Sequence, residues 1–199
     1  AFCLFFTNFP VAAFNEELEN LSLEQKIGQL FIITSIADND LNKQLIAKKE
    51  YRTDKEYIKK LIATYHIGGI IFIGLNDCEN QVALTREFQQ ISNIPLLIVQ
   101  DLEWGLTMRL YDALRFPRNQ TLGALTPEND HLIYHLGYEV GKQCKALGVH
   151  VNLAPVVDVN NNPNNPVIND RSFGENIHRV AQKSEKFMQG LQDAGVVAC

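Results

Sequence analysis

The stretch from Asp101 to Arg109 concentrates side chains that can bind a polar ligand. Asp101 and Glu103 are acids, Trp104 and Gly105 follow directly, and Arg109 closes the stretch. A carboxylate accepts hydrogen bonds from hydroxyl groups, and an arginine supplies a rigid fork of donors for hydroxyl or carbonyl oxygens. Together with the indole ring, these groups predict a cup for a polar ligand with an apolar face, a description that fits sugars.

Two further stretches supply polar groups later in the chain. Asp158 precedes an asparagine-rich loop, residues 160–165, and Arg171 lies within the segment 169–174. The carboxyl ends of parallel strands gather at one end of a sheet or barrel. In a barrel, all three stretches would follow the third and fourth strands and face one bowl.

Each candidate also has a structural interpretation. Asp101 could cap the N-terminus of a short helix, and Glu103 is as readily an ion-pair partner as a ligand. Asp158, flanked by valines, is typical of an acid that orients a neighbouring arginine. Arg171 could be a clamp between loops. The sequence alone leaves these alternatives open.

The residues around Asp101 predict binding rather than catalysis. Asp101 and Glu103 are two positions apart on one segment. They therefore lie on one side, whereas the two catalytic carboxyl groups of a glycosidase flank the bond that is cleaved. Trp104 is expected to pack where its N–H finds a partner, and Arg118 to anchor a loop or lie on the surface.

Short apolar runs alternate with helical patterns along the chain. Helices are expected from capping boxes at Ser22 and Thr53, and a further helix from Thr126 to Gly148. Others are expected over 79–91 and before Gly195. The expected strands are 30–33, 67–73, 96–99, 149–159 and 196–199. This alternation predicts an α/β fold with a parallel sheet.

A barrel explains this pattern better than an open, doubly wound sheet. An open sheet usually carries a glycine-rich phosphate loop after its first strand, but Gly68 and Gly69 lie inside a predicted strand. A (β/α)8 barrel of the TIM type typically needs about 250 residues. This chain has 199 residues and ends on a strand. We therefore predict, for residues 14–199, a (β/α)8 barrel truncated after about the fifth strand.

Composition and charge narrow the classes of function. The chain is 46% hydrophobic and 21% charged, as is ordinary for a globular protein, and its net charge of -5 gives no footprint for nucleic acid. No basic run indicates an anionic membrane surface. The cysteines lie far apart without a Cys-x-x-Cys motif, and Cys144 is expected to be a buried small hydrophobe. We predict no metal site, no cofactor, and no nucleic-acid or membrane partner.

Residues 1–13 are apolar and aromatic and end in Val-Ala-Ala. A hydrophobic run followed by small residues resembles the end of a secretory signal peptide, and this run is too short to span a bilayer. Although a basic start and an initiating Met are absent, we expect a signal-peptide remnant and an exported protein, periplasmic or extracellular. The alternative is an N-terminal core segment in a cytoplasmic protein.

Several short segments, taken in order, resemble one protein family. They are Ile27-Gly-Gln-Leu, Gly68-Gly-Ile-Ile-Phe, Gln100-Asp-Leu-Glu-Trp-Gly with Arg109, Phe116-Pro-Arg, Leu122-Gly-Ala, Asn152-Leu-Ala-Pro-Val-Val-Asp-Val, Arg171-Ser-Phe-Gly and Ala194-Gly-Val-Val-Ala-Cys. Each is weak alone. Their order and spacing, from about Leu23 to the last residue, resemble glycoside hydrolase family 3 in its bacterial β-N-acetylhexosaminidase branch.

This resemblance implies a (β/α)8-type barrel that removes terminal, non-reducing N-acetylglucosamine with retention of configuration. It assigns Asp101 to sugar hydroxyls, Arg109 and Arg171 to the lining of the same pocket, and Asp158 to a supporting role without sugar contact. Some relatives have a second glycine where Trp104 stands, which would change the pocket wall. The implied substrates are glycans or peptidoglycan fragments that contain N-acetylglucosamine.

The resemblance assigns no catalytic residue to this chain. In relatives, the strand matching residues 196–199 runs into a Lys-His-Phe-Pro-Gly-His-Gly segment that binds sugar and supplies the acid/base histidine. The nucleophilic aspartate comes later still. We therefore expect a fragment of the hydrolase that is inactive alone. The alternatives are a family 3 β-glucosidase and a non-catalytic sugar-binding protein.

Overall fold

The computed structural model describes residues 19–47, 54–162 and 164–199. Within these ranges, five strands form one parallel sheet, and their order across the sheet is their order along the chain. They are β1 Ile32–Ile36, β2 Gly69–Ile73, β3 Leu97–Gln100, β4 Val151–Asn152 and β5 Val197–Ala198. The predicted α/β fold with a parallel sheet is confirmed. The predicted signal-peptide remnant, residues 1–13, lies outside the described residues.

Helices connect these strands, as parallel pairing requires. The α-helices are α1 Leu23–Gly28, α2 Lys43–Ala47, α3 Lys55–Tyr65, α4 Cys78–Ile91, α5 Asn119–Gly123, α6 His131–Ala146 and α7 Ile177–Asp193. Short 3-10 turns cover Asp40–Asn42, Leu106–Met108, Pro127–Asn129 and Asn169–Arg171. Among the described helices, none combines the length and the apolar character needed to cross a bilayer.

The strand register aligns the carboxyl ends of the three central strands. Phe72 of β2 lies beside Gln100 of β3, and Gln100 lies beside Asn152 of β4. The next residue after Gln100 is Asp101, which therefore leaves the sheet at the edge where the neighbouring strands also end. The predicted gathering of polar residues at one edge follows from this register.

Several strands and helices begin or end at residues other than those predicted. The strand expected over 149–159 pairs only at Val151–Asn152, because Pro155 has no N–H to continue the ladder. The first strand begins at Ile32 instead of Leu30, whose side chain is 83% exposed. Thr53 lies outside the described residues, and Asp54 caps α3 by accepting the N–H groups of residues 56 and 57.

Two sequence signals are confirmed. Ser22 Oγ accepts the Gln25 N–H over 3.2 Å, and Gln25 Oε1 accepts the Ser22 N–H over 2.8 Å, so the first capping box forms. Cys144 is fully buried on α6, and desolvation by burial raises the pKa of its thiol to about 12. A thiol in that position behaves as a small hydrophobe.

Helices α6 and α7 pack with their backbones unusually close. A Cβ added to Gly137 would lie 2.4 Å from the carbonyl oxygen of Phe187, and one added to Gly190 would lie 2.2 Å from that of Tyr134. Each helix therefore presents a glycine to the other helix's main chain. This contact fixes α7, and with it the chain that leads into β5.

Gly137→Ala should lower the free energy of unfolding by about 1–3 kcal/mol, as overpacking does, although alanine is the better helix former. Urea denaturation at one pH measures this change. Lys142→Ala, on the exposed side of the same helix, is the control and should change stability by less than about 0.5 kcal/mol. A Gly137→Ala protein at least as stable as the wild type would contradict the close approach.

His150 joins β3 and β4 as a hydrogen-bond acceptor. The N–H of Ile98 donates to its Nδ1 over 3.0 Å, which requires that nitrogen to be unprotonated. Burial lowers the pKa of His150 below 6.5. As the pH falls, His150 is therefore protonated in the unfolded chain at a higher pH than in the folded protein. The free energy of unfolding decreases once the pH falls below the pKa of His150 in the unfolded chain.

The free energy of unfolding should therefore fall between about pH 7.5 and about pH 5.5, and His150 should account for part of the loss. In His150→Asn, whose Oδ1 can accept the same hydrogen bond without titrating, the loss should be smaller. Urea denaturation at both pH values gives the difference. His178→Asn, at an exposed histidine, should keep the wild-type pH dependence. Equal pH dependence in His150→Asn and the wild type would refute this role.

Candidate functional site

Asp101 lies on a turn that two pairs of uncharged groups hold in place. The Leu102 N–H donates to Asn152 Oδ1 over 2.9 Å, and Asn152 Nδ2 donates to the Leu102 carbonyl over 3.3 Å. Gln100, the residue before Asp101, is held by its buried side chain. The side-chain amides of Gln100 and Gln81 exchange hydrogen bonds of 2.9 and 2.8 Å. The main chain on both sides of Asp101 is therefore fixed without charged groups.

Arg109 returns to Asp101 after a tight turn. The turn begins at Gly105, whose φ of +86° is in the left-handed region that favours glycine. The Arg109 carbonyl accepts the N–H of Asn76, from the loop after β2, over 2.8 Å. Arg109 Nη2 then donates to Asp101 Oδ2 over 2.7 Å, with the side chains 23% and 28% exposed. The structure thus brings these two predicted site residues together, and Asp101 does not cap a helix.

Glu103 and Arg171 form a second, more buried ion pair. The Glu103 side chain is only 5% exposed. Arg171 donates from Nε to Oε2 over 2.9 Å and from Nη2 to Oε1 over 2.7 Å, and its Nη1 donates to the Val167 carbonyl over 3.2 Å. This two-bond geometry is the strong form of such a pair. Of the open alternatives, Glu103 is an ion-pair partner and Arg171 is a clamp between loops.

The acids around Arg171 act on it together. The hydrogen bond to Glu103 is the main cause that raises the pKa of Arg171, desolvation lowers it, and the negative charges of Glu103, Asp158 and Asp101 raise it further. Asp158 is exposed, and its carboxylate makes no hydrogen bond or ion pair with another described residue. Asp158 therefore influences Arg171 through charge and lies at the surface of the cluster.

Trp104 takes part in a third contact beside that pair. The guanidinium carbon of Arg118 lies 4.0 Å from the centre of the Trp104 ring, and Arg118 Nη1 donates to Asp170 Oδ1 over 3.1 Å. Trp104 follows Glu103 in the chain and Asp170 precedes Arg171, so the two contacts are adjacent. The Glu103–Arg171 pair joins the segment after β3 to the segment 164–174 directly, and Arg118 joins the same two segments through Trp104 and Asp170. Arg118 is a loop anchor as predicted.

Ser172 connects the Asp158 loop to the same segment. The serine is fully buried, and its Oγ lies 2.6 Å from the Asp158 carbonyl oxygen and 3.0 Å from that of Gly174. The Gly174 carbonyl in turn accepts the N–H of Asn160 over 2.9 Å. Hydrogen bonds therefore join the loops that carry Asp158 and Arg171.

Contacts beneath Arg171 were not predicted from the sequence. Asn119 Nδ2 donates to the Arg171 carbonyl over 2.8 Å. Below it, the fully buried Lys183 pairs with Asp130 over 2.6 Å, and Arg179 pairs with the same carboxylate over 2.8 Å. The helical spacing of Arg179 and Lys183 shows that they share a face of α7, but nothing local in the sequence indicates their common partner.

No group of three or more histidine, cysteine or acidic side chains among the described residues is arranged to hold a metal ion. His131 and His135 do meet edge to face on the exposed side of α6, with ring centres 6.1 Å apart. That the protein binds no metal or cofactor stays a prediction from the sequence.

The candidate site lies apart from two cavities of the fold. An apolar cavity of about 420 Å³ lies between α7 and β5, and a cavity of about 450 Å³ with a mixed polar and apolar lining lies beside β1, α3 and α4. Asp101, Arg109 and Arg171 line neither cavity. Their partly exposed side chains lie at the strand ends, where they can donate hydrogen bonds to a ligand or accept them.

Known sequences resemble this chain over most of its length. The family described as "Glycosyl hydrolase family 3 N terminal domain" matches residues 22–199. Beta-hexosaminidase A of Pseudoalteromonas piscicida is 36% identical over 151 residues, which make up 71% of this chain and 25% of that protein. A beta-N-acetylglucosaminidase/beta-glucosidase of Cellulomonas fimi is 28% identical over 181 residues, 91% of this chain and 29% of that protein.

A solved structure agrees with these sequences. The glycoside hydrolase family 3 beta-N-acetylglucosaminidase from Paenibacillus sp. str. FPU-7 is 36% identical, with a TM-score of 0.72, and the match covers 89% of this chain and 32% of that one. The chain thus spans less than a third of the length of each of these three relatives. Since the family match extends over nearly all of the residues described above, the chain belongs to glycosyl hydrolase family 3 and matches its N-terminal domain.

Proposed function

We propose that the protein is a retaining β-N-acetylhexosaminidase that hydrolyses terminal, non-reducing N-acetylglucosamine residues in glycans or peptidoglycan fragments. The observation that carries the proposal is the partly exposed Asp101–Arg109 pair at the carboxyl end of β3. Relatives named beta-hexosaminidase and beta-N-acetylglucosaminidase support the reaction and the sugar.

Asp101 and Arg109 suit the binding of an uncharged, hydroxyl-rich ring. Only Oδ2 of Asp101 is engaged by Arg109, so Oδ1 can accept a hydrogen bond from a sugar hydroxyl. Arg109 gives one N–H of Nη2 to Asp101, and its side chain is 23% exposed, so its other Nη donors can meet a ligand. A carboxylate that accepts and a guanidinium that donates can hold neighbouring hydroxyls of one ring.

Arg171 can contribute in addition to its structural role. Three of its five N–H groups are used, two by Glu103 and one by the Val167 carbonyl. The remaining N–H groups on Nη1 and Nη2 are available to a sugar oxygen. Within this proposal, the described residues bind and orient the sugar, and no proton-transfer or nucleophilic step is assigned to them.

We further propose that the five strands belong to a (β/α)8 barrel, of which residues 14–199 form the N-terminal portion, and that the protein is exported. The strand order supports the barrel, because it runs from β1 to β5 without the reversal that marks a doubly wound sheet. Export depends on residues 1–13 alone.

The function is tested with the protein expressed from its full open reading frame. Initial rates on an aryl N-acetyl-β-glucosaminide should exceed those on the matching aryl β-glucoside, and the first sugar released should be the β-anomer by NMR. Preference for the glucoside would favour a β-glucosidase instead, which the double name of the Cellulomonas fimi relative makes a specific alternative. Sugar binding without turnover would favour a non-catalytic binding protein.

Asp101→Asn should lower kcat/KM on the N-acetylglucosaminide by roughly 100-fold, because it removes the charge from the main hydroxyl acceptor. Asp40→Asn, at a side chain that is 88% exposed and pairs with Lys43, is the matched control and should leave the rate within about threefold of the wild type. Similar rates for both variants would show that Asp101 does not bind the sugar.

A further inference from the structure

We propose that Asn119 is a positioning residue for the sugar site: its side-chain amide holds the main-chain carbonyl of Arg171 and thereby fixes where the Arg171 guanidinium meets Glu103. The inference rests on the proposed function for its effect on sugar binding. Its structural part, that Asn119 sets the geometry of the Arg171 segment, can be tested separately.

The contact itself is short and buried. Asn119 is the first residue of α5, is 2% exposed, and donates from Nδ2 to the Arg171 carbonyl over 2.8 Å. The two residues are 52 positions apart in the sequence. The bond therefore joins two separate segments and is independent of the hydrogen bonds within α5.

The Arg171 carbonyl has no hydrogen-bond partner within its own segment. Residues 169–171 form a single 3-10 turn, and Asn169 has a φ of +38°, so no regular ladder runs through the segment. Ser172 and Phe173 are buried directly after it. Among the described residues, the partner of the Arg171 carbonyl is the Asn119 amide.

Asn119 lies on a fixed platform. A Cβ added to Gly123, at the end of α5, would lie 2.0 Å from the Phe173 carbonyl oxygen, so α5 and the Arg171 segment are already in backbone contact. At the same end, Lys183 Nζ donates to the carbonyls of Leu122 and Leu125 over 3.2 and 2.9 Å. These contacts of α5 do not involve the Asn119 side chain, so we expect the loss of the Asn119 bond to change the Arg171 segment more than α5.

The other end of Arg171 transmits that relaxation to the site. Its guanidinium makes two bonds to Glu103, and Glu103 is two residues from Asp101. A shift of the Arg171 main chain must therefore lengthen those bonds or pull on the segment that carries Asp101. Contributions of this kind depend on geometry at the ångström scale.

The second polar atom of the Asn119 side chain makes no comparable contact. Its Oδ1 is buried and has no hydrogen-bond partner among the described residues. Among these residues, the Arg171 carbonyl is therefore the one hydrogen-bond partner of the Asn119 side chain.

Trp104 provides a direct readout of the same geometry. It is the single tryptophan of the 199-residue sequence, and it contacts Arg118, whose partner Asp170 precedes Arg171. Movement of the Arg171 segment should change the environment of the indole. The part of the fluorescence that a matched Trp104→Phe protein lacks is the Trp104 emission, and it reports the position of the segment.

The experiment compares Asn119→Leu and Asn119→Ala with Asn129→Leu and Asn129→Ala, all in the protein from its full open reading frame. Asn129 is the control because its amide bonds only to Thr126 three residues away, on the surface. The dissociation constant for N-acetylglucosamine is measured by calorimetry below the unfolding temperature of each variant. The Asn119 variants should bind about tenfold more weakly and shift the Trp104 emission, as the loss of one well-placed hydrogen bond predicts. The Asn129 variants should do neither.

Coupling to Arg171 separates positioning from a general loss of structure. In an Arg171→Ala background, Asn119→Ala should weaken sugar binding no further, because the two residues act through one contact. Unchanged affinity in both Asn119 variants, while Arg171→Ala weakens binding, would overturn the positioning role and leave the proposed function intact. If the wild type binds no sugar, the proposed function fails, and Trp104 emission decides the structural part: an unshifted emission overturns it and a shifted one supports it.

Discussion

A carboxylate that is nearly excluded from water has to be matched by a cation with the right shape, and this constraint links the two halves of the candidate site. Glu103 is buried at the end of β3, and Arg171 meets both of its oxygens. The partners are 68 positions apart. Removing either Glu103 or Arg171 would leave the other without its charge partner. Breaking a buried pair in this way strongly lowers stability. The loop of Arg171 is therefore held against the strand that carries Asp101.

The scaffold beneath the charges is itself neutral. Reciprocal amide bonds between Gln81 and Gln100, and between Asn152 and the Leu102 main chain, hold the strand end. These amides do not titrate over the physiological range. The structure thus separates two tasks: uncharged groups place the backbone, whereas the side chains of Asp101, Arg109 and Arg171 remain partly exposed.

The sequence was informative where the relevant physics is local. Alternating strands and helices, the capping box at Ser22 and the buried Cys144 could be predicted because each depends on neighbours within a few residues. The Asp101–Arg109 pair was predictable as a cluster for the same reason, because the partners are only eight positions apart. The resemblance to family 3 rested on ordered short segments, which periodicity alone could not have provided.

What the sequence could not supply depends on distant partners. The length of β4 is set by what its neighbours can pair with and by Pro155, so a run of eleven valine-rich positions yields two paired residues. The sequence left Glu103 undecided between ligand and ion-pair partner, because Arg171 comes 68 positions later. Asn119 carried no signal at all, since a lone asparagine at the start of a short helix is compatible with many roles.

The charges around the candidate site have a consequence for the charge of a ligand that could bind there. Asp101 is matched by Arg109 and Glu103 by Arg171, which leaves the exposed Asp158 as the unmatched acid of this group. The charges of the two pairs cancel, so a neutral ligand would meet no net repulsion from them. An anionic group that approached past Asp158 would meet the repulsion of that unpaired carboxylate.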